Sequence, residues 1–168
     1  MKYIVATNCG GVGLGTLASY TGTGSTAAWA LFTHTYTPTH TAPMLTFIST
    51  DGGADITYLD GVSVVENGVG VELLTNPSFE DSTSTPTGWT TWNWCGCSAS
   101  GITSGSTITT GGTCHTGSGS NCLHDHCKSG YDFIGQTFNA TIGQTYTISY
   151  WLSLVVGPAG KLYVDATG

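Results

Sequence analysis

Basic residues are nearly absent from this chain of 168 residues, which has three Lys plus Arg and a formal net charge of -7. Nucleic-acid binding draws its affinity mainly from Lys and Arg contacts to phosphate, and anionic membrane surfaces attract the same residues. The composition therefore argues against both partners. No apolar run reaches the roughly 18 residues of a membrane span, so we expect no membrane insertion.

Charged residues of both signs are scarce, at 8% of the chain against about 25% in typical domains. Ser and Thr fill most polar positions, 25 residues are Gly, and no run places apolar residues at helical spacing. Thr, Val, Ile and aromatic residues between Gly-rich turns are typical of strands. Many short strands at this spacing predict an all-β fold, a sandwich or jelly roll.

Catalytic motifs are also missing. The chain has no G-x-S-x-G, no H-E-x-x-H and no Gly-rich phosphate loop opening a helix. Acidic residues for the carboxylate pair of a glycoside hydrolase exist, but their spacing singles out no two of them. These residues are Asp51, Asp55, Asp60, Glu66 and Glu72. We therefore predict that the chain is not an enzyme.

Six cysteines in an acidic, Gly/Thr-rich chain indicate an oxidising, extracellular setting. They are Cys9, Cys95, Cys97, Cys114, Cys122 and Cys127. A bond between Cys122 and Cys127 would close a small hairpin loop, leaving Cys95 and Cys97 to link the tryptophan loop to Cys114 or Cys9. The apolar start Met1–Val5 is too short for a signal peptide, so we expect either a removed signal or a segment of a longer chain.

Two parts of the sequence resemble a known fold family. Leu73–Glu80 (LLTNPSFE), followed by Gly88-Trp89, resembles the N-x-SFE … GW start of galactose-binding-like jelly rolls, the fold of many extracellular carbohydrate-binding modules. In this interpretation Leu73, Leu74 and Phe79 belong to a short opening strand. The family's middle strands resemble residues 115–120, 134–138 and 143–152, and its closing strands resemble residues 45–47 and 58–64.

These similarities occur in permuted order. Residues 1–66 resemble the second half of one jelly roll, 67–72 a linker, and 73–168 the first half of the next. Lys2–Asn8 also aligns with Lys161–Gly168 when one gap is allowed, a shift of 161 − 2 = 159 residues. We expect tandem repeats, or subunits that complete one another by strand addition into a head-to-tail filament. The alternative is a circularly permuted monomer whose two segments fold on each other.

The resemblance implies a structural calcium ion held by Asp60 and Glu80, since oxygen ligands suit a hard cation. Gly61 stands where the family has a second acidic residue, so one ligand is missing. The alternative is that both residues are ordinary solvated or hydrogen-bonded carboxylates.

Trp92 and Trp94 are candidates for a sugar-stacking platform, because indole faces pack against the C–H groups of sugar rings. They lie beside Cys95 and Cys97, so the alternative is that they pack over disulfides. Trp29, Trp89 and Trp151 are predicted to be core residues.

Two further motifs have local explanations. His124-Asp125-His126 between two cysteines has the residue types of a zinc site, but disulfide-bonded cysteines with histidines exposed at a hairpin tip are the favoured interpretation. Asn139-Ala-Thr141 is a glycosylation sequon at a predicted strand end, or else an unmodified turn. His34, His40 and His115 are assigned no role.

Overall fold

A computed structural model describes residues 14–22, 28–50, 56–94, 105–127, 130–155 and 160–167. Within these ranges the chain forms ten strands and no helix, and so no helix that is long and apolar enough to cross a membrane. The strands are β1 (Ala18–Thr21), β2 (Ala30–Tyr36), β3 (Met44–Thr50), β4 (Ile56–Glu66), β5 (Thr90–Trp94), β6 (Thr107–Thr110), β7 (Asn121–Asp125), β8 (Tyr131–Thr137), β9 (Tyr146–Val155) and β10 (Lys161–Thr167).

The strands form two antiparallel five-stranded sheets. The first sheet has the order β1-β10-β3-β8-β5, and the second has the order β2-β9-β4-β7-β6. Successive strands alternate between the sheets, except that β6 and β7 are neighbours in the second. The predicted all-β sandwich is confirmed, and this alternation is the pattern of a jelly roll. The Lys2–Asn8 segment, which aligns with Lys161–Gly168, lies outside the described residues.

The two segments that resemble halves of a jelly roll are interleaved in both sheets. Strands β1 to β4 come from residues 1–66, and β5 to β10 come from residues 73–168. Among the described strands, β1 to β4 never pair with one another; each pairs with β7, β8, β9 or β10. The described strands of residues 1–66 therefore depend on the later segment for all of their pairings.

The main core lies between the sheets and follows from strand alternation. In β9, Tyr146, Ile148, Tyr150 and Leu152 are buried and the residues between them are half-buried, as period-two side-chain direction requires. Facing residues from the other strands complete this cluster, among them Leu45, Phe47, Leu59, Val64, Ile134 and Val164.

The outer face of the first sheet carries a second, smaller cluster. Ile48, Tyr131 and Phe133 are buried there, with Leu14, Trp92 and Tyr163 packed against them. This covering explains why the central strand β3 is buried at five successive positions, 45–49, instead of alternating.

The linker predicted at 67–72 is a compact turn. Glu66 O accepts hydrogen bonds from the backbone N–H groups of Val69 and Gly70 at 3.1 and 3.2 Å. Glu72 forms an isolated bridge to Val65, and its Oε1 accepts backbone hydrogen bonds from residues 64, 73 and 74 at 3.1, 2.9 and 2.9 Å. The single Glu72 carboxylate thus holds both sides of the joint together.

The predicted pairing of Cys122 with Cys127 is wrong, as is the link from Cys114 to the tryptophan loop, because Cys114 is bonded to Cys122. Cys122 lies in β7, and an extended strand advances about 3.3 Å per residue. The distance from Cys122 to a residue five positions along an extended chain exceeds the roughly 7 Å between Cα atoms that a disulfide spans. Cys127 is also disulfide-bonded, while Cys9, Cys95 and Cys97 lie outside the described residues.

Candidate calcium site and aromatic row

The segment with the strongest family resemblance, residues 73–81, is an irregular loop and not the predicted strand. Asn76 and Phe79 have positive φ angles of 49° and 60°, which is uncommon for any non-glycine residue and an outlier for a bulky one. The Phe79 side chain is fully buried in the core. The loop therefore turns sharply, anchoring Phe79 inside the sandwich while the next residue, Glu80, is exposed.

Hydrogen bonds fix this loop at Asn76. Its Oδ1 accepts from the backbone N–H of Asp81 at 3.2 Å, and its Nδ2 donates to the carbonyl of Thr87 at 2.8 Å. Trp89, buried as predicted, donates its indole N–H to the Asn76 carbonyl at 3.1 Å. Local strain of this kind persists only where surrounding contacts over-determine it, and it is concentrated at functional sites.

Asp60 lies in β4 at a bulge and has no solvent-exposed surface. Its Oδ1 accepts a hydrogen bond from Gly61 N–H at 2.7 Å, whereas Oδ2 is buried without a hydrogen-bond partner in the described structure. Burial raises the pKa of Asp60 to about 7; backbone N–H groups of Gly61 and His115 oppose the rise, and the charge of Glu80 adds to it. A buried carboxyl of this kind favours a cation or a proton.

Glu80 comes close to Asp60 through the loop before β7. Its Oε1 accepts backbone hydrogen bonds from Ser120 and Asn121 at 2.9 and 2.6 Å. The loop passes so near that a Cβ on Gly119, whose φ is +136°, would overlap the Glu80 carboxylate. Gly61 is similarly confined, since a Cβ there would lie 2.6 Å from Ser118 Oγ. An acidic residue at position 61 would displace the Ser118 hydroxyl and would need a positive φ of 51°, which side chains other than glycine rarely adopt.

The two predicted calcium ligands are therefore close enough for their charges to interact. An unpartnered carboxylate oxygen beside a second carboxylate fits a hard cation that prefers oxygen ligands. Among the described residues, however, no group of three or more His, Cys, Asp or Glu side chains is placed to hold a metal ion. Asp60 and Glu80 would need further oxygens, from backbone carbonyls or water, to complete such a site.

A row of half-buried rings crosses the outer face of the second sheet. Three of them, Tyr58, His124 and Trp151, are each next in sequence to a buried leucine, so strand alternation directs them outward. His115 stacks on Trp151 with ring centroids 3.8 Å apart. The row continues through Trp29, Tyr58 and His124, with centroid distances of 5.8 Å (His115–Trp29), 6.5 Å (Trp29–Tyr58) and 5.3 Å (Tyr58–His124). We call these five residues the aromatic row.

The aromatic row corrects two predictions. Trp29 and Trp151 are half-buried on the outer face, so their prediction as core residues is wrong. His115, which was assigned no role, connects the two candidate features: its ring stacks on Trp151 and hydrogen-bonds Ser118 Oγ at 2.9 Å, while its backbone N–H acts on Asp60. Only a signal for long-range contact would have identified this role of His115, because Trp151 and Asp60 are both far from His115 in the sequence.

The predicted sugar platform is arranged differently. Trp92 and Trp94 both lie in β5, and Trp92 is half-buried with its ring stacked on Phe133 at 5.2 Å and 10°. One face of Trp92 is therefore occupied by protein.

Asn139 is exposed just after β8, in the position predicted for a sequon at a strand end.

The zinc interpretation loses two ligands, since Cys122 and Cys127 are both disulfide-bonded. His124 lies in β7 and not at a hairpin tip, so that expectation is wrong as well. Burial lowers the pKa of His124, and the nearby His126 lowers it further.

Of the acids considered for hydrolysis, Glu66 accepts a hydrogen bond from Tyr146 and Glu72 holds the joint.

Comparison of the chain with protein-family models, with curated proteins and with solved structures finds no match.

Proposed function

We propose that this protein is an extracellular structural or adhesive repeat that assembles head to tail, residues 1–66 of one copy completing the sandwich of residues 73–168 of its neighbour. The observation that carries the proposal is the interleaving of the two segments. All described strands of the first segment pair with strands of the second and none with each other. The first segment is thus a set of strands without a sheet of its own.

Both sheets have the same alternation of segments, in the order first, second, first, second, second. If the first segment is withdrawn, β10 and β9 lose both of their partners and β8 and β7 lose one each. Unpaired strand edges are templates for strands of another chain. A contact repeated in one direction without closing a ring produces a filament.

The joint supports exchange between copies. Gly68 and Gly70 have positive φ angles of 88° and 73° with open space around them, and Val69 and Val71 are each 59% exposed. Opening this turn costs the Val65–Glu72 bridge and the hydrogen bonds to Glu72, while the extensive sheet pairing is recovered in the neighbour. Exchange of this kind is sensitive to the length of the hinge loop.

Variation of the joint length tests the proposal. Deleting residues 68–70 prevents the turn from closing within one chain, so we expect oligomers or filaments by light scattering after size exclusion and by electron microscopy. Inserting several Gly and Ser residues after Gly68 relaxes the turn and serves as the matched control, with a shift toward monomer. Monomers from the unsubstituted protein and the deletion variant at all concentrations would exclude assembly by exchange.

The second candidate function is carbohydrate binding, which the aromatic row favours. Aromatic rings on an open sheet face present apolar surface to the C–H faces of sugars, with imidazole and phenol groups beside them for hydrogen bonding. Leu31, 53% exposed, lies next to this surface as the pairing partner of Trp151. We assign this candidate to Trp29 and Tyr58 of the aromatic row, whose rings are tilted to their neighbours, in preference to Trp92, whose ring stacks on Phe133.

A polysaccharide pull-down and glycan array separate the two candidates. If the second is correct, Tyr58→Ala and Trp29→Ala abolish retention, whereas Trp92→Ala, a matched aromatic truncation on the other sheet, leaves it intact. No retention by the unsubstituted protein would leave the structural repeat alone.

In both cases we propose a non-enzymatic role, with calcium at Asp60 and Glu80 bracing the strained loop. The disulfide between Cys114 and Cys122 supports an oxidising, extracellular location.

A further inference from the structure

The connection between β8 and β9 carries the sequon Asn139-Ala140-Thr141 on its outer side. The backbone N–H groups on either side of Asn139 continue the pairing of β8 toward the segment before β3. Phe138 donates to the Pro43 carbonyl at 3.1 Å, and Ala140 donates to the Thr41 carbonyl at 2.9 Å. Phe138 is buried in the main core. Because successive side chains of an extended segment point to opposite sides, Asn139 is directed outward, and it is exposed.

The second side chain that defines the sequon is also at the surface. Thr141 is exposed, while its backbone N–H donates to the buried Tyr146 hydroxyl at 2.8 Å. Elsewhere in the sequence the N-x-S/T pattern recurs only at Asn76-Pro77-Ser78, where Pro in the middle position excludes modification and Asn76 is buried. The sequence therefore offers one acceptor asparagine, and the fold presents it to solvent.

The sequon lies at the end of the sandwich that also holds the joint. Strand pairing brings Glu66, the last residue of β4, opposite Tyr146, the first residue of β9. Beyond this pair, Asn67 N–H donates to the Thr145 carbonyl at 2.9 Å. The joint, residues 67–72, and the β8–β9 connection, residues 138–145, are therefore neighbouring loops.

Exposed apolar side chains are concentrated in these two loops. Among the described residues four large apolar side chains are exposed, and three of them are Val69, Val71 and Ile142. Apolar surface gathered in one place favours association between molecules, and only 8% of the chain is charged to oppose it. A bulky, hydrophilic glycan three residues before Ile142 would shield this surface.

We propose that Asn139 carries an N-linked oligosaccharide, which covers the apolar loops at the joint end of the sandwich. The inference rests on the extracellular location proposed above and is independent of head-to-tail assembly. In the transfer, the Asn139 side-chain nitrogen loses one proton and forms a bond to the anomeric carbon of a polyprenyl-diphosphate-linked oligosaccharide. The bond from that carbon to the diphosphate oxygen breaks, and the lipid diphosphate leaves. Because Asn139 faces solvent, the folded sandwich accommodates the product without moving a core residue.

Secretion of the full chain from eukaryotic cells tests the proposal. We expect one gel-mobility shift that peptide-N-glycosidase removes, leaving an aspartate that peptide mass spectrometry locates at position 139. Thr141→Ser preserves the sequon and should preserve the shift. Thr141→Ala leaves Asn139 in place but destroys the sequon, so the shift should be lost completely.

Shielding is measured by the binding of a hydrophobic dye to the folded protein. The enzyme-treated protein and Thr141→Ala should both bind more dye than the glycosylated protein, and adding Ile142→Ser to Thr141→Ala should reverse the increase. Equal dye binding by the glycosylated and treated proteins would overturn the shielding role.

Secreted, folded protein with unmodified Asn139 would overturn the glycan itself. That result is distinct from a failure of head-to-tail assembly, because the glycan is detected by mass and exchange is detected by oligomer size. Retention of the native protein inside its cells, seen by fractionation, would instead overturn the extracellular location on which the inference rests.

Discussion

Replacing Asp60 with Asn should change how stability depends on pH. The folded-state pKa of Asp60 is raised from 3.8 to about 7, chiefly by burial. The folded protein therefore binds the Asp60 proton more tightly than the unfolded chain does. The stability from this group is fully present below pH 3.8 and is lost as pH rises through 7.

The size of the effect follows from the pKa difference. At about 1.36 kcal/mol per pKa unit, the rise from 3.8 to about 7 sets an upper bound of roughly 4 kcal/mol. Partial screening by solvent reduces this, so we expect about 2–4 kcal/mol. For a chain of this length, that range corresponds to a difference in Tm of about 4–16 °C.

Urea unfolding from pH 4 to pH 8 in the presence of a chelator measures the effect. Asp60→Asn does not titrate, so its stability relative to the unsubstituted protein should rise by up to about 4 kcal/mol across this range. If Asp60 and Glu80 bind calcium as proposed, added calcium should stabilise the ionised carboxylate and restore the unsubstituted protein near neutral pH, but not the variant. The exposed Asp81→Asn is the control. A stability difference that stays constant from pH 4 to pH 8 would refute the raised pKa.

Three further substitutions probe the framework of the site and joint. Gly119→Ala adds a Cβ against Glu80 at a φ of +136° and should lower the free energy of unfolding by about 1–3 kcal/mol; Gly112→Ala, with open space around it, should change it little. Removing the disulfide with Cys114→Ala/Cys122→Ala should cost about 2.5 kcal/mol by loop entropy, measured by urea unfolding, and an unchanged midpoint would contradict this. Glu72→Ala removes three backbone hydrogen bonds and should cost about 1–2 kcal/mol while raising the oligomer fraction on size exclusion; an unaltered fraction would argue against the joint as a hinge.

Regular strands were predictable where apolar and polar residues alternate, as in β2 and β9. The loop at 73–81 was not, because its apolar residues suit a strand and only the positive φ angles of Asn76 and Phe79 bend it. The partner of Cys122 was missed for a related reason. Local spacing favoured Cys127, whereas β7 extends the chain and separates the two residues.

The candidate site was predictable only in part. Family resemblance brought Asp60 and Glu80 together, and the structure places them within reach of each other's charge. The aromatic row was missed because its residues come from strands and loops that are far apart in the sequence. Trp151 lies in a strand that alternates, and the sequence does not say which of the two faces is the buried one.

The head-to-tail account is tested most directly by a cross-link between paired strands. Thr33 in β2 and Ser149 in β9 are direct partners across the two segments, and such antiparallel pairs have Cα separations that a disulfide can span. Oxidised Thr33→Cys/Ser149→Cys protein is run on a non-reducing denaturing gel, with each single variant as control. Exchange between copies predicts a ladder of covalently linked chains, whereas a single monomer band carrying an internal bond would contradict it.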